Sequence, residues 1–247
     1  MTGPRSRLCT RDAPQIFKNC TKAKNMLETG QQLNEVKEHY GTLASHYGRH
    51  ANQTCEKMYR RIVSRFLTRR RKVLELGAGS SNLLDWVNSP FSVACDLSEE
   101  MLRMRAPRAE THCVVTAGER LPFRDQCFDG LFLINVLEHV SSIGLVVDEC
   151  YRVLQPGGIW LGITPNGNWE LLLDLAERWS LKIREGPHAF LTPKKLRCAI
   201  SKRFDVITHR TFLLLPAGPP MIAGILDRVS FCSIFGLGFF QYLVAEK

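Results

Sequence analysis

One stretch decides the fold: Val73-Leu74-Glu75-Leu76-Gly77-Ala78-Gly79-Ser80-Ser81-Asn82. It has the pattern of a short apolar strand that ends in glycines, where the chain turns tightly and a ligand can approach the backbone. We expect a helix to follow, with its N-terminal N–H groups pointing at that ligand. Glycine turns also occur for purely structural reasons, so the stretch alone does not establish a binding site.

Two residues of this stretch narrow the kind of ligand. A dinucleotide fingerprint requires a third glycine at position 82, where this chain has Asn82. This argues against a nicotinamide dehydrogenase. Glu75, two residues before the first glycine, instead suits a ligand that carries an ammonium group.

A carboxylate closes the second predicted strand. Val93-Ala94-Cys95 leads into Asp96, 19 residues after Gly77. From this position a carboxylate can accept both ribose hydroxyls of a nucleoside that lies across the sheet edge. Helix capping is the structural alternative for Asp96, and Ser98 could cap the next helix equally well. The spacing from Gly77 favours ribose binding.

Short apolar runs alternate with helix-length segments after residue 72. The predicted strands are Lys72–Leu76, Ser92–Asp96, His112–Val115, Gly130–Ile134, Ile159–Thr164, Phe204–His209 and Gln241–Ala245. Helices are predicted over Gln53–Leu67, Ile143–Leu154, Trp169–Leu181 and from Pro193 to about Ser201. Apolar strands separated by helices indicate a parallel sheet covered on both faces. Right-handed crossovers then give a doubly wound α/β fold.

Charge and cysteine content limit the class of protein. The net charge is +9, and residues 1–72 hold 16 Lys and Arg against 5 Asp and Glu, whereas residues 73–247 hold 17 against 19. A basic flank can attract phosphates or an anionic membrane surface, and a solvated helix face with a loose tail is the plainer explanation. The nine scattered cysteines contain no CxxC pair, which predicts a reducing, cytoplasmic location without disulfides or structural zinc.

We divide the chain into two parts. Residues 1–32 form a basic extension that we expect to be disordered, with a transit segment as the alternative. Residues 33–247 form one domain, with N-terminal lid helices at 33–70 and an apolar insertion at about 211–240. The insertion either packs over the sheet or forms a wall of the pocket for a lipophilic acceptor. One form of the second alternative places that pocket at a membrane surface. The apolar stretch Phe231–Ala245 is too short and too broken by glycine to cross a membrane.

Seven motifs stand in order along residues 40–247. They are Glu75-Leu76-Gly77-Ala78-Gly79, Asp96-Leu97-Ser98-Glu99-Glu100-Met101-Leu102, Gly118-Glu119-Arg120-Leu121-Pro122-Phe123, Phe128-Asp129, Asn135-Val136-Leu137-Glu138-His139-Val140, Leu154-Gln155-Pro156-Gly157-Gly158 and Thr164-Pro165-Asn166. This order resembles the class I S-adenosylmethionine (SAM)-dependent methyltransferases, in particular the UbiG-like quinone O-methyltransferases. The resemblance implies a Rossmann-like, seven-stranded sheet in which only the last strand is antiparallel.

The resemblance also implies a role for each matching residue in holding SAM. The methionine part would lie on the turn of Glu75, Gly77, Ala78 and Gly79, the ribose on Asp96, the adenine against Leu97, Met101, Gly118 and Glu119, and the sulfonium near Asn135. Tyr40 and Tyr47 either resemble the aromatic residues of the family's lid or form an apolar helix stripe. Where relatives have Asp-Ala-Glu, this chain has Ala117-Gly118-Glu119, so we expect weaker SAM binding.

Three residues are candidates for a general base: Glu138, His139 and His188. His188 stands shortly before Thr192-Pro193, as in the UbiG-like pattern, and a histidine that only hydrogen-bonds a loop is the alternative. Some relatives bind a divalent metal through an acid, a Glu-His pair and a later histidine. Asn135 replaces the first acid here, so we expect no metal.

The predicted function is methyl transfer from SAM to a small acceptor, most readily at oxygen. The more specific expectation is that this acceptor is lipophilic. An RNA-modifying methyltransferase that uses residues 1–72 as a basic arm is one alternative. A non-catalytic module that binds SAM or a partner is another. We do not expect nucleic acid as the main partner, and contact with a membrane surface stays open.

Overall fold

The computed structural model describes residues 53–105, 111–170, 190–212 and 238–247. The helices there are α1 (Gln53–Leu67), α2 (Glu99–Arg103), α3 (Ile143–Val153) and α4 (Pro193–Ile200), with 3-10 helices at Leu83–Trp86 and Gly167–Trp169. The strands are β1 (Lys72–Leu76), β2 (Phe91–Asp96), β3 (Thr111–Val115), β4 (Phe128–Ile134), β5 (Leu154–Pro165), β6 (Asp205–Phe212) and β7 (Phe240–Glu246). The predicted strands and the helices at α1, α3 and α4 are confirmed, but β5 begins five residues before its predicted start and β6 ends three residues after its predicted end. The other ends shift by two residues at most.

The strands form one sheet in the order β3-β2-β1-β4-β5-β7-β6. The pairs from β3 to β5 are parallel, and β7 runs antiparallel to both β5 and β6. The α/β, doubly wound, mostly parallel fold predicted from the sequence is therefore confirmed, including the single antiparallel strand.

Alternate residues along each strand enter two separate cores. Leu74 and Leu76 of β1 join the cluster that contains α3 and α4 residues such as Val146 and Leu196. Val73, which precedes Leu74 and points to the opposite side of the pleat, joins the cluster on the other face, which α1 covers. Because both faces are covered, nearly every residue of the central strands is apolar. A charged side chain on such a strand, as at Glu75, therefore requires a local explanation.

The helix predicted directly after the glycine turn is wrong. Residues 77–90 contain only the 3-10 helix Leu83–Trp86, and the side chain of Asn82 makes no capping hydrogen bond to it. The physical reason is the short connection, because a crossover between parallel strands needs about a dozen residues and the turn uses several of them. Residues 116–127, between β3 and β4, also contain no helix, since turns and Pro122 occupy that connection.

Several predictions fall on residues outside the described ranges. These are the extension 1–32, the lid up to residue 52 with Tyr40 and Tyr47, most of the predicted helix Trp169–Leu181, His188, and most of the insertion at 211–240. Within the described residues, no helix is both long and apolar enough to cross a membrane.

Candidate cofactor site

The candidate site lies where the strand order reverses. From β1 the chain passes outward through β2 and β3, and it then returns to β4 on the other side of β1. In open α/β sheets, ligands bind in the crevice at the carboxyl ends of the strands on either side of such a reversal. Gly77 follows β1 and Asn135 follows β4, and a Cβ on Gly77 would overlap Cγ2 of Val136. The two loops are therefore in direct contact, and only a glycine fits at position 77.

The glycine turn is bound to the end of β2. Gly77 and Gly79 have φ of +68° and +49°, which favour glycine. The N–H of Ala78 donates to the carbonyl oxygen of Cys95 at 2.8 Å. The N–H of Gly79 donates to Oδ2 of Asp96 at 2.7 Å. The turn and the carboxylate singled out by the sequence thus form one hydrogen-bonded unit.

Asp96 does not cap the helix that follows it. Ser98 is the N-cap of α2, since its Oγ accepts from the N–H of Met101 at 3.2 Å. Oδ1 of Asp96 accepts from the N–H of Ser98 at 2.9 Å. Burial raises the pKa of the Asp96 carboxyl, and N–H donors from Ser98, Gly79 and Leu97 oppose that rise. The carboxylate is therefore held in one orientation beside the turn.

Glu75 is buried in β1 and has unequal partners at its two oxygens. Its Oε1 accepts from Oγ of Ser81 at 2.7 Å. Its Oε2 lies 3.3 Å from Nη1 of Arg105 and, among the described residues, accepts no hydrogen bond. Burial raises the pKa of Glu75 from 4.5 to about 7, with Arg105 and then Ser81 opposing that rise. A buried acceptor without a donor is unfavourable until a ligand supplies one.

Asn135 presents a second such acceptor. It has φ of +54° directly after β4, and its N–H donates to the carbonyl oxygen of Ile163 at 2.9 Å. Its Nδ2 donates to the hydroxyl of Tyr59 at 3.4 Å, whereas its buried Oδ1 accepts no hydrogen bond within the described part of the chain. Oδ1 of Asn135 and Oε2 of Glu75 both favour a cationic ligand.

The residues predicted to pack the adenine lie in two places. One pair lies after β2, beside the glycine turn, and the other lies in the connection between β3 and β4. Met101 is buried beside the turn, with Cε 3.3 Å from where a Cβ on Gly79 would lie, and Leu97 is half-buried next to Asp96. Gly118 packs against Leu76 and Val146. Glu119 is turned toward the loop after β4, because its Oε1 accepts from the N–H and Oγ of Ser141 at 3.0 and 2.8 Å.

The base candidates that the structure describes lie just beyond Asn135. Glu138 is buried, and its Oε2 accepts from Oγ1 of Thr164 at 3.0 Å. His139 is half-buried, and its backbone N–H donates to the carbonyl oxygen of Val136 at 2.9 Å. His188 and Tyr47 lie outside the described ranges. No group of three or more His, Cys, Asp or Glu side chains among the described residues could hold a metal ion.

Sequence reasoning missed Arg105 and Tyr59 as neighbours of the site. Arg105 follows Arg103 by two residues, and no pattern distinguishes them in the sequence. In the structure the Arg103 side chain is 76% exposed and pairs with Glu99, whereas that of Arg105 is 5% exposed beside Glu75. Only the three-dimensional contact reveals which of the two serves the site.

Comparison with known proteins identifies the family. Residues 74–161 match a methyltransferase domain family. A malonyl-[acyl-carrier protein] O-methyltransferase of Enterobacter lignolyticus is 31% identical over 168 residues, covering 66% of this chain and 65% of that protein. A ubiquinone biosynthesis O-methyltransferase of Nitrobacter winogradskyi is 27% identical over 162 residues, covering 58% of this chain and 59% of that protein. The chain therefore spans less than two thirds of the length of either relative.

A solved structure shows the same fold. The crystal structure of a SAM-dependent methyltransferase from Thermotoga maritima, a possible histamine N-methyltransferase, superposes with a TM-score of 0.66 at 19% identity, covering 86% of this chain and 99% of that one. The motif order, the sheet and these matches agree. The chain belongs to the class I SAM-dependent methyltransferases, whose cofactor is S-adenosylmethionine.

Proposed function

We propose that this chain transfers a methyl group from SAM to a small hydrophobic acceptor, at oxygen. The observation that carries the proposal is the hydrogen-bonded unit at the carboxyl ends of β1 and β2, in which contacts join Glu75, the glycine turn and Asp96. Two buried oxygens, Oε2 of Glu75 and Oδ1 of Asn135, accept no hydrogen bond from the described residues, which supports a cationic ligand. A nicotinamide or flavin cofactor would not supply an ammonium group for the first of them.

Each part of the cofactor has a candidate partner in this crevice. Glu75 would take the amino group of the methionyl end, and the main chain of Gly77, Ala78 and Gly79 would lie along it. Asp96 would accept from the ribose hydroxyls, since each carboxylate oxygen has a further lone pair besides the one its N–H donor uses. Met101 and Leu97 would cover one face of the adenine. Gly118 and Glu119 lie in the connection between β3 and β4.

An aromatic cluster beside Asn135 supports a hydrophobic acceptor. Tyr59 of α1 contacts the rings of Phe212 and Phe240 edge-on, with centroids 6.4 and 5.7 Å away. Its hydroxyl reaches Asn135, next to which the transferred methyl group would lie. Both phenylalanine rings are buried in the core, whereas Tyr59 is half-buried, so Tyr59 is the ring of this cluster against which an apolar or aromatic acceptor would pack. Transfer to oxygen is further supported by the two relatives named as O-methyltransferases.

The reaction requires alignment and removal of one proton. When bound, SAM supplies a methyl group already activated on a sulfonium. The acceptor oxygen forms the new bond to that methyl carbon, the electron pair of the broken bond stays on sulfur, and the hydroxyl proton passes to a base. We assign that base to the set Glu138, His139 and His188. Alignment in a closed site can supply about 7–11 kcal/mol of the barrier.

The proposal is tested with methyl-labelled SAM in a cell extract. The full chain is incubated with the small-molecule, lipid and RNA fractions, alongside Asp96→Ala and an exposed control at the opposite sheet edge, Asp205→Ala. We expect label in an organic-soluble product with the wild type and the control, and a loss of at least tenfold with Asp96→Ala. Label confined to RNA would favour the RNA-modifying alternative. SAM binding without any labelled product would favour a non-catalytic module.

The choice of base is tested by substitution. His188→Ala should lower kcat while leaving SAM affinity within about twofold, as expected for a residue that acts on the acceptor. Glu138→Gln keeps the shape of the buried side chain and removes its charge, so the two variants separate the candidates. Full turnover by His188→Ala would assign the base to Glu138 or His139.

A further inference from the structure

A buried arginine reaches the site from the connection after α2. Arg105 lies two residues beyond the end of that helix, yet its side chain is almost completely removed from solvent. Burying a guanidinium is unfavourable unless it is paired. Its Nη1 lies 3.3 Å from Oε2 of Glu75 and 3.3 Å from the carbonyl oxygen of Ala78. Both partners belong to the strand and turn predicted to hold the methionyl end of SAM.

The contact with Glu75 is an ion pair at 3.3 Å that lacks the geometry of a well-aligned hydrogen bond. Oε1 of Glu75 is fixed by Oγ of Ser81 at 2.7 Å, whereas Oε2 accepts no hydrogen bond from any described residue. A guanidinium whose main purpose is to join two segments is expected to aim an N–H at the carboxylate. Arg105 instead gives its hydrogen bond to the Ala78 carbonyl, and its charge acts on Oε2 from the side.

From this geometry we propose that Arg105 is a positioning residue for cofactor binding, which favours the ionised form of Glu75 and leaves Oε2 to accept a hydrogen bond from the amino group of the methionyl end. The inference rests on the proposed SAM site. It extends that site to a residue outside every motif that the sequence singled out. It also predicts selectivity, because only ligands that carry the amino group use Oε2.

The electrostatics of the site support this role. Among the described residues, the groups that act on the Glu75 charge are Arg105, Asp96 and the hydroxyl of Ser81. Burial and Asp96 raise the pKa of Glu75, and Arg105 is the strongest influence in the opposite direction. Without the guanidinium, the pKa of Glu75 would be higher, and more of the carboxyl would be protonated at neutral pH. A protonated carboxyl has lost the charge that attracts an ammonium group.

The test compares two ligands that differ at the methionyl end. S-adenosylhomocysteine has the amino acid group, and 5′-methylthioadenosine lacks it. Calorimetry at pH 7.5 is performed on the full chain as wild type, Arg105→Gln and Arg105→Lys. We expect Arg105→Gln to lose at least tenfold in affinity for S-adenosylhomocysteine and less than twofold for 5′-methylthioadenosine, with Arg105→Lys recovering most of the loss. Equal losses for both ligands would show a purely structural role and overturn the proposal.

A second pair of variants includes one, the double variant, in which neither buried charge remains. Glu75→Gln and the double variant Glu75→Gln/Arg105→Gln should bind S-adenosylhomocysteine within twofold of each other, because Arg105 acts through Glu75. A further tenfold loss in the double variant would overturn this route, even if the single Arg105→Gln chain does not fold. If wild-type protein binds neither ligand, the proposed SAM site itself fails, which is a separate outcome.

A pH series provides a readout that a structural role would not change. In the wild type the affinity for S-adenosylhomocysteine should rise with pH and level off above about 7. In Arg105→Gln the same rise should move to higher pH, since the proton leaves Glu75 later. An unchanged midpoint would contradict the proposal.

Discussion

The main-chain N–H of Gly79 donates a hydrogen bond to Oδ2 of Asp96 across 2.7 Å. The two residues are 17 apart in the chain, and adjacent parallel strands bring them together, with Leu76 of β1 opposite Cys95 of β2. The other oxygen of the same carboxylate, Oδ1, accepts a hydrogen bond from the N–H of Ser98. The turn that would hold one end of the cofactor and the acid that would hold its ribose therefore fix each other's position.

Removal of this carboxylate should weaken cofactor binding. Asp96→Ala deletes the acceptor for the ribose hydroxyls and leaves the Gly79 N–H without its partner, so we expect at least a tenfold loss in SAM affinity, about 1.4 kcal/mol. Calorimetric titration of the full chain measures it, with Asp205→Ala as the matched control. Unchanged affinity would contradict the assignment of Asp96 to the ribose.

A side chain on Gly77 should destabilise the domain through two separable effects. Gly77→Ala places an L-residue at φ +68°, which costs about 1–2 kcal/mol, and its Cβ overlaps Cγ2 of Val136. Thermal unfolding should therefore occur at a lower temperature. In a Val136→Ala background the loss caused by Gly77→Ala should shrink without vanishing, because the overlapping methyl is gone and the backbone strain remains. Equal losses in both backgrounds would exclude the overlap with Val136 as a cause.

SAM affinity should depend on pH through Glu75. Its pKa in the folded chain, about 7, lies above its ordinary value of 4.5, because burial disfavours the charged form. Folding stability from this group is therefore greatest at low pH and falls as pH rises from about 4.5 to about 7. Ligand binding has the opposite sign, since an ammonium group requires the carboxylate. We expect about tenfold weaker binding at pH 6 than at pH 8, and Glu75→Gln should remove that dependence.

Arg152 should contribute much more to stability than a comparable surface arginine. Its side chain, 22% exposed, donates to Glu149, to Asp125 and to the carbonyl oxygens of Phe123 and Leu121. These contacts hold the connection before β4. Arg152→Met should lower the free energy of unfolding by about 2 kcal/mol, measured by urea denaturation.

Arg203 provides the control for that measurement. It pairs with Asp148 at 2.7 Å, but its side chain is 52% exposed. Water screens such a pair, so Arg203→Met should lower the free energy of unfolding much less than Arg152→Met does. Equal losses for the two arginines would show that the network around Arg152 adds nothing beyond a surface ion pair.

Part of the candidate site could be predicted from the sequence, namely the residues whose type and position along the chain indicate their role. Gly77, Gly79 and Asp96 lie at strand ends, where the residue type itself indicates a turn or an exposed acceptor. Arg105 has no such signal, because its role depends on a contact 30 residues away in the chain. The same limit explains the wrong helix after the glycine turn. A glycine turn favours a following helix, but the short connection to β2 overrides it.

The sequence by itself determined the alternation of strands and helices, because apolar runs and turn residues are local patterns that do not depend on distant contacts. The family and the single antiparallel strand followed from the resemblance of its motifs. Only the tertiary structure decided which charges meet. It left Oε2 of Glu75 without a donor, directed Glu119 to Ser141, and buried Arg105 while Arg103 stayed in solvent. The physical reason is that burial and electrostatic pairing depend on distances between chain segments, which folding sets.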